Sequence, residues 1–220
     1  MKHTFAPRIR TLAQLDGIKP VEEIKYEPML FGADLDFARE QGGPLTQMLI
    51  EKLMHCQEFK RAYSSSPFHN IVIDTRSTMT MRGVYPSIPG WHCDDVPRGE
   101  QYGQPDLSGI DEKTQHFLLL FSSVESHTCT EFVHKSLTID VDPENVWRSV
   151  NNAVEEQKPE TRSIKVGELV MFDQNAIHRA VATENPGWRW FARVSITTRK
   201  PANEIREQVQ VYMPLENVGW

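Results

Sequence analysis

Two side chains near the middle of the chain have the types and the spacing that bind a divalent metal. His92 and Asp94 form a His-x-Asp pattern after a Pro-Gly turn signal. On an extended chain alternate side chains point to the same side, so His92 and Asp94 face together and Cys93 faces away. A neutral imidazole and a carboxylate on one side can chelate a metal. The same pattern also occurs in ordinary polar loops, so by itself it does not assign a metal site.

A third candidate ligand follows a buried strand much later in the sequence. Gly167 predicts a turn into a strand over 169–172, and His178 comes just past the end of that strand. Two histidines and one carboxylate on one face leave up to three coordination positions open, which is the facial triad of mononuclear non-haem iron(II) oxygenases. Taken alone, His178 could equally be a structural histidine at a strand end.

The segment 188–199 is predicted to be a strand with two different faces. With a period of two residues, one face holds Arg189, Phe191, Arg193, Ser195, Thr197 and Arg199. The other face is apolar and is expected to pack against the core or a helix. Solvent exposure is the simple interpretation of the polar face. The alternative is a barrel interior that binds an anion, because arginine holds a carboxylate with two parallel hydrogen bonds.

Together these residues resemble the iron(II)- and 2-oxoglutarate-dependent dioxygenases. That family has His-x-Asp, a distal histidine and an Arg-x-Ser or similar pair on the next strand, matched here by His92, Asp94, His178, Arg193 and Ser195. The resemblance covers roughly residues 78–199. Arg193 followed by Arg199 is also similar to the Arg-x5-Arg of the AlkB nucleic-acid demethylases, although Ser195 stands where those enzymes have asparagine.

The resemblance implies a mainly β fold with flanking helices, a cupin-like double-stranded β-helix or jelly roll. It implies an enzyme in which the catalytic residues His92, Asp94 and His178 bind Fe(2+), with 2-oxoglutarate and O2 as the other cofactors. It implies hydroxylation of a small-molecule substrate with release of succinate and CO2.

The resemblance also implies which residues bind 2-oxoglutarate. Arg193 and Ser195 are expected to hold its far carboxylate, with Arg199 and His116 as further contacts, although His116 could equally be a core residue. Arg189 lies 11 positions after His178, so Arg189 or Arg199 could be the true partner if the hairpin register shifts. Four side chains around the triad are candidate substrate contacts or, equally, surface loop side chains: Trp91, Asp95, Arg98 and Tyr102.

The elements that would position these residues form a single domain over residues 1–220. An irregular N-terminal arm over 1–40 is expected to wrap the domain, and a helix over 45–61 is expected to pack on the larger sheet. The β-helix core spans 70–199, with a helical insertion over 143–156 that could cover its mouth. Strands are predicted at 70–74, 78–84, 115–123, 128–133, 137–141, 169–172 and 188–199.

Composition restricts the possible partners. The 24 basic and 30 acidic residues give a net charge of −6, which argues against a protein whose main task is to bind nucleic-acid backbones but does not exclude a local basic groove. The longest apolar run, 117–121, is too short to cross a bilayer, so no membrane partner is expected. Three cysteines without a CxxC pair and an N-terminus without a secretory signal indicate a reduced, cytoplasmic protein.

The sequence leaves other functions open. A cupin-like metal-binding protein would need the metal ligands but neither 2-oxoglutarate nor Arg193. A nucleic-acid or peptide oxygenase or demethylase of the same superfamily would share the site. A pure interaction domain would carry His-x-Asp by coincidence. The sequence indicates neither the substrate nor the oligomeric state.

Overall fold

The computed structural model describes residues 1–67, 69–99, 103–125, 127 and 130–206. These residues form a mainly β protein. The strands are β1 (Lys2–Phe5), β2 (Arg10–Gln14), β3 (Leu30–Phe31), β4 (Asn70–Thr80), β5 (Gln115–Ser122), β6 (Thr130–Val133), β7 (Leu137–Asp140), β8 (Thr161–Ser163), β9 (Glu168–Asp173), β10 (His178–Ala180), β11 (Gly187–Thr197) and β12 (Glu204–Ile205). The helices are α1 (Val21–Lys25), α2 (Leu35–Gln41), α3 (Pro44–His55), α4 (Gln57–Ser64), α5 (Val146–Gln157) and a short 3-10 helix (Leu107–Gly109).

The larger sheet has five antiparallel strands in the order β2-β9-β5-β11-β4. In its register Arg193 on β11 lies opposite Asp74 on β4 and Leu118 on β5. Residues directly opposite each other on antiparallel strands share a face of the sheet. Arg193, Asp74 and Leu118 therefore project to one side, which is the side that holds the candidate site.

Helices cover the other face of the larger sheet. The alternate residues of β11 are buried there in one apolar cluster with residues of α1, α2, α3 and α4: Trp190, Ala192, Val194 and Ile196. The strand thus has the two faces that its sequence predicts, one apolar against helices and one carrying arginines and hydroxyls.

The inner face of the larger sheet opposes a smaller antiparallel sheet in the order β10-β6-β8. Apolar side chains of both sheets pack between them: Leu118, Leu120, Phe132, Val170 and Phe172. Facing antiparallel sheets are what a jelly roll requires, but none of the sheets formed by the described strands closes into a barrel. The double-stranded β-helix therefore remains a prediction.

The prediction of a single helix over 45–61 is wrong, because two helices occupy this range. α3 ends at His55, Cys56 has an extended backbone (φ −77°, ψ 125°), and α4 starts at Gln57. The apolar stripe nevertheless continues, because Leu49 and Leu53 of α3 and Phe59 of α4 enter the same cluster. Hydrophobic periodicity therefore does not detect the break.

The N-terminal arm is more regular than the sequence predicts. β1 pairs with β7, and β2 forms an edge of the larger sheet. Pro7, Pro20 and Pro28 lie outside the strands and helices of this segment, so they do not prevent these elements from forming. The strands predicted over 70–74 and 78–84 are also one continuous strand, β4, which ends at Thr80.

The helix predicted over 143–156 begins at Val146, because residues 142–145 form a turn. The Asn145 amide donates to the backbone carbonyl of Asp142 at 3.1 Å. Val146 and Val150 are buried in a cluster that also contains Trp91 and residues of β7. Among the described helices, none has the length and apolar character needed to cross a membrane.

Candidate metal centre

Backbone pairing brings the two candidate histidine ligands together. His92 and His178 form an antiparallel bridge: the amide of His92 donates to the carbonyl of His178 at 3.0 Å, and the amide of His178 donates to the carbonyl of His92 at 2.8 Å. The ring centroids are 4.6 Å apart. Residues paired in this way point to one side of the sheet, so the two imidazoles face the same space.

Both imidazoles are held in one tautomer by the backbone. Nδ1 of His92 lies 2.7 Å from the carbonyl oxygen of Gly90, and Nδ1 of His178 lies 2.9 Å from that of Ala176. A carbonyl can only accept, so each Nδ1 carries the proton and each Nε2 keeps a lone pair for a metal. Burial, with the nearby His178, lowers the pKa of His92 to about 4, so His92 is neutral at pH 7.

Asp94 completes a set of three candidate ligands. Its carboxylate oxygens lie 3.8 Å from Nε2 of His92 and 3.3 Å from Nε2 of His178. One ligand atom from each residue lies within 4.8 Å of the other two, the single such group in the described parts of the chain. Two neutral imidazoles and one carboxylate are the donor set of a mononuclear divalent metal, so these residues fit an iron(II) ion.

An arginine pairs with this ligand carboxylate. Nη1 of Arg193 is 2.5 Å from Oδ2 of Asp94, and Nη2 is 3.0 Å from Oδ2 of Asp74. Burial alone raises the pKa of Asp94, but the Arg193 guanidinium, together with His178, lowers it well below its usual range. Asp94 is therefore ionised and ready to bind a metal at neutral pH.

The charged network continues behind Asp94. Nη2 of Arg199 is 2.6 Å from Oδ2 of Asp74, and the carboxylate of Asp95 lies 3.9 Å from both Arg193 and Arg199. Asp95 has a positive φ of 54°, a left-handed conformation that few residues other than glycine adopt. The network joins three carboxylates and two guanidinium groups behind one wall of the site.

A cavity of about 270 Å³ opens between the larger sheet and the segment that carries His92. All three candidate ligands line it. Polar side chains of β4 and β11 line the opposite wall: Asp74, Arg76, Thr78, Arg189 and Arg193. Phe31, Pro86, Phe191 and Ile88 supply apolar surface. Its size suits a small molecule better than a macromolecule.

The residues predicted to bind 2-oxoglutarate lie in different places. Arg189 lines the cavity and is only 5% exposed. Arg199 also lines it. Ser195 is fully buried, with its hydroxyl 2.9 Å from Nδ1 of His116, which is fully buried as well. Ser195 and His116 thus form a pair inside the core near the network of Arg193.

The predicted substrate contacts also separate. Trp91 is 2% exposed in the core, with the guanidinium of Arg179 4.2 Å from its ring. Asp95 faces the arginine network, and Arg98 is exposed with a hydrogen bond to the carbonyl of Gly103. Tyr102 lies outside the described residues.

The sequence interpretation missed one residue that positions the ligands. The side-chain oxygen of Asn151 on α5 accepts from the amide of Trp91 at 2.8 Å, and its nitrogen donates to the carbonyl of Trp91 at 3.1 Å and to that of Trp147 at 2.7 Å. This amide fixes the backbone directly before His92. An asparagine on a half-polar helix has no sequence signal for such a role.

Comparisons with known proteins give distant likenesses only. No protein-family model and no curated protein sequence matches the chain. Among solved structures it is similar to an N-substituted L-amino acid dioxygenase from Burkholderia ambifaria AMMD, with 14% identity and a TM-score of 0.37 over 80% of this chain and 79% of that one. It is also similar to the nickel complex of the non-heme monooxygenase ThoJ, with 12% identity and a TM-score of 0.36 over 82% and 78% of the two chains. The functional assignment therefore depends on the geometry of the site.

Proposed function

We propose that the protein is a non-haem iron(II) oxygenase that uses 2-oxoglutarate and O2 to hydroxylate a small molecule. The observation that carries the proposal is the cluster of His92, Asp94 and His178 on one wall of a cavity whose other wall carries a buried arginine. The cluster of two histidines and one aspartate suits iron(II). The buried arginine suits the free carboxylate of a co-substrate.

When bound, iron(II) and 2-oxoglutarate supply an oxidative decarboxylation by O2 that yields succinate and CO2 and hydroxylates a C–H bond of the substrate. The chain supplies the metal ligands, with both imidazoles oriented by backbone carbonyls and Asp94 oriented by Arg193. Three protein ligands on one face leave the remaining positions for small ligands.

Of the arginines that the sequence leaves as candidates, we propose Arg189 as the partner of the far carboxylate of 2-oxoglutarate. Arg193 already pairs with two carboxylates, Asp74 and Asp94. Arg189 is buried at the cavity wall, and Thr78, its register partner on β4, also lines the cavity. A guanidinium and a hydroxyl side by side can hold one carboxylate with charge-assisted hydrogen bonds.

The proposed role of Arg193 is then to orient Asp94. It is a positioning residue, because it acts on a metal ligand and not on the co-substrate. Because Arg193 holds Oδ2 of Asp94, Oδ1 would stay available to a bound metal, and partners of this kind orient the ligands in many metal sites. Phe191 and Leu118 line the same cavity and supply apolar surface there.

The test is turnover of 2-oxoglutarate without any primary substrate. The full-length protein is reconstituted anaerobically with iron(II), exposed to O2 and 2-oxoglutarate, and succinate is measured. Slow metal-dependent succinate formation, absent in the His178→Ala variant, supports the proposal. Tight iron binding without succinate formation or 2-oxoglutarate binding would instead indicate a cupin-like metal protein.

A further inference from the structure

The cavity has more positive charge than the proposed reaction requires. Five guanidinium groups line it: Arg76, Arg189, Arg193, Arg199 and Arg206. Only two carboxylates line it, Asp74 and Asp94, and both are paired with Arg193. An iron(II) ion and a 2-oxoglutarate dianion would cancel each other's charge. Asp95 lies 3.9 Å from both Arg193 and Arg199, so these two arginines are balanced by carboxylates, and Arg76 and Arg206 remain as a separate pair of cations at the cavity.

Two of these arginines line the cavity together with Phe31 of β3 and Pro86. The guanidinium of Arg206, just after β12, lies 4.5 Å from the ring centroid of Phe31 on β3. Arg76 on β4 donates to the carbonyl oxygen of Pro86 at 3.4 Å. Within the described residues, no carboxylate comes within 4 Å of the charged nitrogens of Arg76 or Arg206.

The positive charges of Arg76 and Arg206 repel each other. Burial, and next the positive charge of Arg206, lowers the pKa of Arg76, against a smaller raising effect of Asp74. An arginine nevertheless remains protonated in a protein. Two like charges at one partly buried wall are destabilising unless an anion lies between them. A carboxylate or a phosphate can accept hydrogen bonds from both guanidinium groups.

We propose that Arg76 and Arg206 bind an oxyanion of the primary substrate, which is therefore a small molecule that carries a carboxylate or a phosphate ester. This inference rests on the proposed function, since it treats the same cavity as the substrate site. Arg76 lies two residues along β4 from Asp74, about 7 Å at the usual rise of a strand. The oxidised carbon would then lie several bonds away from the oxyanion, with Phe31 and Pro86 against the part between them.

The test measures direct binding of three probes of similar shape to the full-length protein loaded with nickel(II), with and without 2-oxoglutarate. The probes are phenylacetate, phenyl phosphate and the neutral phenylacetamide, titrated by calorimetry. At least one oxyanion probe should bind at least about tenfold more tightly than phenylacetamide, because only an anion gains the charge-assisted hydrogen bonds. The probe that binds distinguishes a carboxylate from a phosphate ester.

Variants locate the oxyanion. Arg76→Gln and Arg206→Gln should each lower its affinity by at least about fivefold and leave 2-oxoglutarate affinity within about twofold of wild type. Arg82→Gln is the control, because Arg82 is exposed on the turn after β4 and does not line the cavity. Circular dichroism of each variant, and the conservative Arg76→Lys, separate lost charge from lost folding.

The inference is overturned if neither oxyanion binds, if all three probes bind equally, or if the affinity is unchanged in both Arg76→Gln and Arg206→Gln. Succinate formation by the wild-type protein in that case shows that only this inference has failed. The opposite result, oxyanion binding that needs Arg76 and Arg206 but no turnover of 2-oxoglutarate, supports the inference and rejects the proposed function.

Discussion

The guanidinium of Arg193 forms an ion pair with Asp94, with 2.5 Å between Nη1 and Oδ2, and Asp94 is also a candidate metal ligand. The second nitrogen of the same guanidinium lies 3.0 Å from Asp74. The arginine therefore lowers the pKa of two half-buried carboxylates, against the effect of burial, which raises it. Metal affinity and co-substrate binding can be separated by changing Arg193 and Arg189 individually.

The first prediction concerns Arg193→Gln. Without the guanidinium, the pKa of Asp94 should rise, because burial is then opposed only by the weaker interactions with the histidines. A proton should compete with the metal for Asp94, so iron(II) affinity at pH 6 should fall by about tenfold, the size of a lost outer-shell partner. Anaerobic titration at pH 6 and pH 8 should show part of the loss recovered at the higher pH. Unchanged metal affinity with a large loss of 2-oxoglutarate affinity would mean that Arg193 binds the co-substrate itself.

The second prediction concerns Arg189→Gln. Removing one partner of a buried charge pair costs about 2–5 kcal/mol. The affinity for 2-oxoglutarate should therefore fall by at least about tenfold, while iron(II) affinity changes little. Titration of the metal-loaded protein with 2-oxoglutarate measures this. Arg148→Gln, at an exposed position on α5, is the control. Normal binding by Arg189→Gln would reject Arg189 as the partner.

The third prediction concerns the metal ligands. His178→Ala removes one of three ligands and should reduce iron(II) affinity by more than roughly 100-fold, since even outer-shell partners contribute about 10–100-fold. Anaerobic titration of the purified protein gives the stoichiometry. His134→Ala, which changes an exposed histidine, should bind one equivalent as the wild type does. Equal binding by both variants would remove His178 from the site.

The three candidate ligands could be predicted from the sequence because each lies in a local pattern with a physical meaning. His92 and Asp94 alternate on an extended segment, and His178 follows a buried strand. The cross-strand bridge between His92 and His178 then brings them together, as the facial-triad hypothesis requires.

The partners of these ligands could not be predicted in the same way. Asp74 reaches Arg193 only because β4 and β11 pair in one register. Arg76 and Arg206 line the same cavity only because β12 folds back onto β3. Such contacts depend on the pairing of segments that are distant in sequence. The sequence around a single polar residue does not indicate which distant segment it will contact. The break at Cys56 was missed for a related reason, because the buried stripe continues across it.

The fourth prediction concerns the dependence of stability on pH. His116 is fully buried, and burial, followed by the charge of Arg193, lowers its pKa to about 4 in the folded protein. The ordinary value of 6.5 applies when the chain unfolds. Between these values the unfolded chain binds a proton that the folded protein does not, so the free energy of unfolding falls as pH falls. His116 should account for about 2 kcal/mol of the decrease in the free energy of unfolding between pH 7 and pH 5.

Urea denaturation of the metal-free protein at pH 7 and pH 5 measures this effect. His116→Gln cannot titrate but can still hydrogen-bond to Ser195, so its loss of stability over the same range should be smaller by about 2 kcal/mol. His134→Gln is the matched control at an exposed position. An identical pH dependence in wild type and His116→Gln would show that His116 does not control the effect.

The last prediction concerns Asn151, which holds the backbone of Trp91 through both atoms of its amide. In Asn151→Ala, the amide and carbonyl of Trp91 lose their partners, at a cost of about 1–3 kcal/mol for each buried group left unpaired. His92 is the next residue, so its imidazole should lose part of its fixed orientation, and iron(II) affinity should fall by about tenfold. Asn152→Ala is a close control, because Asn152 is its neighbour on α5 but is exposed. Urea denaturation and anaerobic metal titration should both separate the two variants. A loss of stability without a loss of metal affinity would mean that Asn151 only anchors the helix and does not position His92.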